Sequence, residues 1–135
     1  MEIRTRITVP DDTIVDLLID ALNTGSSRYW VSSLAPNASE ETLKRVVSGD
    51  VCLHIEPRVK DGEKMPQYYG TPGFINIEKR GEQPWHVDRS ALERGLQIMA
   101  DKHPHHIAKL IDGDFDAETS DVFFNCVCFG AIVFS

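Results

Sequence analysis

The last third of the chain, from Asp88 onward, constrains the fold more than any other part of the sequence. Two breaks divide it, at residues 102–104 (Lys-His-Pro) and 112–114 (Asp-Gly-Asp), and this pattern predicts three successive helices. The third helix runs into a tail, residues 122–134, in which nearly every side chain is apolar or aromatic. Such side chains do not remain in water, so the tail must form the centre of a core or of a contact between subunits.

Length and charge narrow the class of protein. The 135 residues fit one domain, which we assign to residues 1–135. The net charge is −7, and residues 110–135 contain no Lys or Arg. The charged residues of that segment are all acids: Asp112, Asp114, Asp116, Glu118 and Asp121. Because direct binding of nucleic acid requires a basic surface for the phosphates, DNA and RNA are not expected as direct ligands.

Targeting signals and cysteine usage both favour a cytoplasmic protein. The N-terminal residues show no apolar signal region, and the longest apolar run is too short to cross a bilayer. The three cysteines, Cys52, Cys126 and Cys128, include no C-x-x-C pair and are expected to be reduced. We expect Cys126 and Cys128 to be core residues, since no basic neighbour lowers the pKa of either thiol.

The remaining pattern predicts the fold class. Four segments have the character of strands: residues 2–9, 51–56, 74–78 and 83–87. One helix is predicted from Pro10 to Gly25 and a second from about Asn37 to Gly49. Turns join the later strands. We therefore predict a single α+β domain with a largely antiparallel sheet of about four strands, helices packed on one face and a helical C-terminal third.

The alternating acids Asp112, Asp114 and Asp116 have the spacing of calcium ligands. A calcium loop of this kind also needs a glycine and a glutamate, at positions that Ala117 and Phe123 occupy here. We therefore expect Asp116 to cap the last helix instead.

Histidines offer a second candidate metal site. Three of them, His103, His105 and His106, lie close together in the sequence, and His86 forms an H-x-D pair with Asp88. Imidazoles and carboxylates hold zinc or non-haem iron, but adjacent helical residues point in different directions and share an ion poorly. We therefore predict solvated or capping histidines, with no bound metal and no cofactor.

Four short motifs are spread over most of the chain. They are residues 21–25 (Ala-Leu-Asn-Thr-Gly) leading to Tyr29 and Trp30, Gly95 with Leu96, residues 113–121 (Gly-Asp-Phe-Asp-Ala-Glu-Thr-Ser-Asp) and residues 129–134 (Phe-Gly-Ala-Ile-Val-Phe). In this order they resemble a group of small uncharacterised proteins of tailed bacteriophages and prophages. The usual pattern of that group has an acid where this chain has Ala131. The resemblance implies a phage-encoded cytoplasmic protein and no catalytic residues.

Aromatic residues in or beside predicted loops are the strongest indication of a binding site. Basic residues accompany them, and the candidate set is Arg28, Tyr29, Trp30, Arg58, Tyr68, Tyr69 and Trp85. Aromatic faces with a few cations hold nucleotides or form the centre of protein–protein contacts. The alternative is that Trp30 and Trp85 only fill the edge of the core.

Together these features favour a non-enzymatic, phage-type accessory protein that acts by binding a host or phage protein, with inhibition of a host defence factor as the expected role. Three alternatives remain open: a module that sequesters a nucleotide-like small molecule, a phage structural or assembly component, and a small metal-dependent hydrolase using His86, Asp88 and the later histidines. The apolar run from Val122 to Phe134 exceeds what one terminal helix usually buries, so we also expect a homo-oligomer, most simply a dimer.

Overall fold

The computed structural model describes residues 8–57 and 85–132. The helices in these residues are α1 (Asp11–Thr24), α2 (Ser27–Trp30), α3 (Glu40–Ser48), α4 (Arg89–Lys102), α5 (Pro104–Ile111) and α6 (Ala117–Phe129). The strands are β1 (Val31–Ala35), β2 (Leu53–Pro57) and β3 (Trp85–Val87), and they form one antiparallel sheet in the order β1-β2-β3. Within the described ranges, no helix combines the length and the apolar character needed to span a membrane.

This architecture corrects the predicted fold class. The described residues are mostly helical, and their sheet consists of three short strands instead of the predicted four-stranded sheet. Strand β1 was not predicted, while the predicted strand at 74–78 and most of the one at 2–9 lie outside the described residues. The helical C-terminal third is confirmed. Much of the core lies between helices and not between helices and the sheet, because α1 and α4 both pack against α6.

Helix α6 is the central element of the core. From Thr119 to Phe129 every side chain is buried except that of Asp121, which is half-buried. A helix that is buried around its whole circumference needs neighbours on several sides, and α1 and α4 are its main ones. The apolar run is therefore covered within one chain as far as Phe129. The expected homo-oligomer stays a prediction, but it loses the physical reason on which it was based.

Gly95 allows α4 and α6 to approach closely. A Cβ atom at this position would lie 2.7 Å from the Cα atom and 2.8 Å from the backbone nitrogen of Val127. Ordinary contacts between carbon atoms are about 3.5–4.0 Å, so no larger residue fits without moving the helices apart. The glycine therefore sets the distance between the two helices.

Polar contacts join the end of α1 to the start of α6. The Oδ1 atom of Asp121 accepts hydrogen bonds from the backbone N–H of Ser26 at 2.9 Å and from its Oγ at 2.8 Å. One residue earlier, Ser120 Oγ donates to Asp20 Oδ2 at 2.8 Å. A Cβ atom at Gly25 would lie 2.5 Å from the backbone oxygen of Ala21 and 2.9 Å from the same Asp121 oxygen, so this junction also requires a glycine.

Helix caps follow the sequence in part. Ser39 accepts the backbone N–H three residues later at 3.2 Å, and α3 ends at Gly49, whose φ of 90° favours glycine. Helix α1 begins after Pro10 without a side-chain cap. The cap of α4 is Asp88, which accepts the N–H of the third helical residue at 2.8 Å.

Candidate binding site at one end of the sheet

The register of the sheet brings together the segments that carry the predicted aromatic residues. Val31, the first residue of β1, pairs with Pro57, the last residue of β2. Trp85, the first residue of β3, pairs with Ile55, the central residue of β2, so the start of β3 is the part of that strand nearest to Pro57. The start of β1, the end of β2 and the start of β3 therefore lie together. We name this region, residues 28–31, 55–57 and 85, the aromatic end.

The other predicted binding residues belong to the connection between β2 and β3. This connection, residues 58–84, lies outside the described residues and contains Arg58, Tyr68 and Tyr69. Because β2 ends at Pro57 and β3 begins at Trp85, the connection starts and finishes at the aromatic end.

Helix α2 fixes the position of Tyr29 and Trp30 in the chain. The sequence predicted a turn here, and the structure has a single helical turn that leads directly into β1. Ser27, at its start, is buried and donates from Oγ to the backbone oxygen of Ala21 at 2.8 Å. The side chain of Arg28 is exposed. The turn is therefore anchored to α1 while Arg28 faces solvent.

The register fixes the place of residue 85 in the backbone of the sheet. It pairs with Ile55, which on its other side pairs with Leu34. Ile55 is fully buried and Leu34 is half-buried. The two interpretations of Trp85, as a core residue or as a binding residue, both stay predictions.

The histidines of the described residues form two groups. His54 and His86 are paired across β2 and β3, with ring centroids 4.3 Å apart. His103, His105 and His106 lie around the start of α5, with centroid separations of 4.1–6.4 Å. The sequence analysis singled out every one of these except His54. His54 could have been noticed because it lies between the apolar residues Leu53 and Ile55 in the alternating pattern of β2. Its partner, His86, is revealed only by the pairing of β2 with β3.

The residues proposed for a metal-dependent hydrolase are not brought together as one centre. Within residues 8–57 and 85–132, no group of three or more His, Cys, Asp or Glu side chains is placed to hold a metal. Asp88 caps α4, and His86 pairs with His54. The later histidines belong to α5 and the residue before it.

The acids of the C-terminal segment do not act as one surface. Asp116 caps α6, as predicted, and pairs with Lys109 at 3.1 Å. The backbone N–H of Thr119, followed by the Lys109 ammonium, lowers the pKa of Asp116 to about 2. Asp121 binds Ser26, as described above. The other three acids of this segment, Asp112, Asp114 and Glu118, are exposed.

His106 differs from the prediction of a solvated or capping histidine. It is 2% exposed, and its Nδ1 lies 2.9 Å from Thr119 Oγ1 on α6. Because Thr119 Oγ1 donates to Asp116 Oδ1 at 3.0 Å, its lone pairs accept a hydrogen bond from the Nδ1–H of His106. Burial, and then the neighbouring His105, lowers the pKa of His106. Its role is to join α5 to α6.

Acidification should destabilise the protein in two separate pH ranges. The folded state favours neutral His106, so that contribution is complete above the ordinary pKa of 6.5 and is lost as the pH falls below it. Asp116 favours its ionised form, so its contribution is lost between its ordinary value of 3.8 and about 2. Urea unfolding at a series of pH values measures both.

Two variants separate these ranges. His106→Gln should abolish the loss of stability below pH 6.5 and keep the loss between pH 3.8 and about 2. Asp116→Asn should abolish the loss at the lower pH and keep the loss below pH 6.5. A wild-type protein whose free energy of unfolding is unchanged between pH 7.5 and 5 would contradict the role assigned to His106.

The two cysteines of the core are not expected to act as nucleophiles. Cys126 and Cys128 are both buried in α6, as predicted, and Cys52 is exposed. Burial raises the pKa of Cys126 to about 11 and raises that of Cys128 well above its ordinary value. Since the thiolate is the reactive form, these two thiols stay protonated and serve packing.

A shallow cleft between α1, α3 and α4 is a candidate that the sequence did not indicate. Its lining is mainly apolar and includes Val9, Ile14, Val47, Leu92 and Leu96. At its rim, Arg89 donates to the backbone oxygen of Val47 and contacts Asp11 at 3.4 Å and Glu93 at 3.2 Å. The guanidinium is thus already engaged by the protein itself, and its contacts tie α4 to α1 and α3.

The motifs behind the phage-protein resemblance have packing roles in the described residues. Gly25 and Asp121, from two of the motifs, meet at the junction of α1 and α6. Gly95, from a third, receives Val127 of α6. Three of the four motifs therefore contribute contacts to the same central helix, and the fourth begins with the last residue of that helix, Phe129, and its C-cap, Gly130.

Comparison with other proteins gives no relative from which a function follows. No family model, no curated protein and no solved structure matches the chain. Function therefore has to be inferred from the residues and their arrangement.

Proposed function

We propose that the protein acts by binding another protein through the aromatic end of its sheet. The pairing of Val31 with Pro57 and of Trp85 with Ile55 carries this proposal. It puts Tyr29 and Trp30 at the same end of the sheet as both ends of the 58–84 connection. The binding energy of protein interfaces is concentrated in tyrosine, tryptophan and arginine residues. All three residue types are present at the aromatic end.

A protein partner is favoured over a nucleotide-like ligand by charge and shape. The net charge of −7 repels phosphate groups. The arginine at the rim of the cleft between α1, α3 and α4 already pairs with Asp11 and Glu93. Arg28 is exposed on the single turn of α2, as suits the rim of a protein contact. Sequestration of a nucleotide-like molecule remains the alternative.

The resemblance suggests the setting. A phage-encoded protein of this kind acts in the cytoplasm of the host cell, where a host defence factor is the proposed partner. Inhibition then consists of covering a surface that the factor needs and requires no catalytic residue of this chain.

The double substitution Tyr68→Ala/Tyr69→Ala tests the proposal. It should leave the melting temperature nearly unchanged, because both residues belong to the connection and not to the described core. It should weaken binding by about 1–3 kcal/mol, or roughly 5- to 150-fold in Kd. Wild-type and variant baits produced in host cells would identify the partner by quantitative mass spectrometry. Calorimetry with the purified partner would then give the two affinities.

A matched control is Glu40→Ala/Lys44→Ala on α3, which follows the opposite end of β1 from Trp30. It removes an exposed ion pair, with side chains 64% and 57% accessible, and should change neither folding nor affinity. A marked loss of stability in the tyrosine variant would show that the tyrosines are structural. Undiminished affinity would show that the partner binds elsewhere. Direct binding of ATP or GTP that the tyrosine variant lacks would favour the sequestering alternative.

A further inference from the structure

We propose that His54 and His86 form an open site for a divalent transition-metal ion on the outer face of the sheet. The two residues are direct partners in the antiparallel pairing of β2 with β3. Their ring centroids are 4.3 Å apart, with the planes inclined at 72°. Two imidazoles are thus held side by side by the backbone of adjacent strands.

The alternation of the strands puts both rings on the side away from the core. Leu53, Ile55 and Val87 are fully buried, and residues between them in a strand point the opposite way. Accordingly, His86 is exposed and His54 is half-buried. An ion can therefore approach both rings from solvent without any change in the fold.

The separation of the rings suits a shared ion. Zinc and related ions bind imidazole nitrogens at about 2.0–2.1 Å, so two nitrogens on one ion lie roughly 3 Å apart. Rings whose centroids are 4.3 Å apart reach this separation by turning about their side-chain bonds. Because the hydrogen-bonded strands already fix the two Cα atoms, little backbone freedom is lost on binding.

The rest of the coordination sphere is open. Cys52 and Asp88 lie one position beyond the Leu53–Val87 pair, and both are exposed. Asp88 Oδ1 already accepts the N–H of Ala91 at 2.8 Å. Since the described residues contain no three-ligand group, water completes the coordination and binding is weak. Imidazole ligands select Cu²⁺, Ni²⁺ and Zn²⁺ over Mg²⁺ and Ca²⁺.

Isothermal titration of the untagged protein with Ni²⁺ at pH 7.5 tests the site. We expect one ion per chain with a Kd of roughly 1–100 μM, in keeping with two imidazole ligands and water. His54→Gln and His86→Gln should each weaken binding at least tenfold. The control His103→Gln/His105→Gln should not, although it removes two imidazoles and each of those variants removes one.

A second measurement needs no variant. Substoichiometric Cu²⁺ should broaden the ring-proton NMR signals of two of the five histidines, those of His54 and His86, before the other three. Absence of Ni²⁺ binding at 1 mM, roughly ten times the weakest Kd expected, would overturn the proposal. So would a loss confined to the His103/His105 control, or broadening that begins at those residues. Loss of binding in Cys52→Ser with both His54 and His86 variants unaffected would overturn it as well.

Discussion

Replacing Gly95 by Ala should destabilise the protein by about 3 kcal/mol, the upper part of the range for an overpacked core. The direction is the opposite of the ordinary one, since Gly→Ala inside a helix usually adds about 1 kcal/mol of stability. The reason is the backbone of α6: the new Cβ atom would lie 2.7 Å from Val127 Cα and 2.8 Å from its nitrogen. A side chain can rotate away from such a clash, but these backbone atoms move only if α4 and α6 separate.

Urea unfolding of the wild type, Gly95→Ala and the control Gln97→Ala measures this effect. Gln97 is exposed on the same helix, so its replacement should change the free energy of unfolding by no more than about 0.5 kcal/mol. A Gly95→Ala protein as stable as the wild type, or more stable, would mean that the two helices do not approach as closely as described.

What could be predicted from the sequence was mostly local. The breaks around Pro104 and Gly113, and the caps at Ser39 and Asp116, depend on residues within a few positions of one another. Strand β1 escaped prediction because its sequence, Val-Ser-Ser-Leu-Ala, does not alternate between apolar and polar residues, in keeping with the register shift between Val31 and Ser33.

Contacts between distant residues could not be predicted in this way. The apolar run of α6 indicated that something must cover it, but a second copy and helices of the same chain satisfy that need equally well. The helix α1 that covers one side is about 100 residues away in sequence, as the contact of Ser120 with Asp20 shows. His106 likewise appeared polar and exposed in the sequence, and only its contact with Thr119 explains its burial.

The candidate site was partly predictable. The aromatic residues could be identified from the sequence. Whether the segments that carry them lie close together depends on which strand ends are adjacent, and the register of the sheet determines this. The same register pairs residue 85 with buried Ile55, while residue 30 lies at the junction of α2 with β1. Pairing also created the His54–His86 site, which neither segment reveals alone.

Replacing Asp121 by Ala should destabilise the protein by about 2–4 kcal/mol. Its Oδ1 atom accepts both the N–H and the Oγ of Ser26, and Ser26 is only 5% exposed. A buried donor left without a partner costs about 1–3 kcal/mol, and here the substitution removes the acceptor of two. Asp121→Asn keeps an oxygen in the same place and should cost less, about 1 kcal/mol, because it removes the charge and not the acceptor.

A double-mutant cycle isolates this contact from the rest of the α1–α6 junction. Ser26→Ala removes the Oγ donor, so the Ser26→Ala/Asp121→Ala protein should lose about 1 kcal/mol less than the sum of the single losses. Asp112→Ala, at an exposed acid of the turn after α5, is the control and should leave the free energy of unfolding within about 0.5 kcal/mol of the wild type. Single losses that simply add would show that Ser26 and Asp121 do not interact. If the pair does interact, a carboxylate in the acidic segment holds together two helices that are 95 residues apart in sequence, and the acidity of that segment serves the fold.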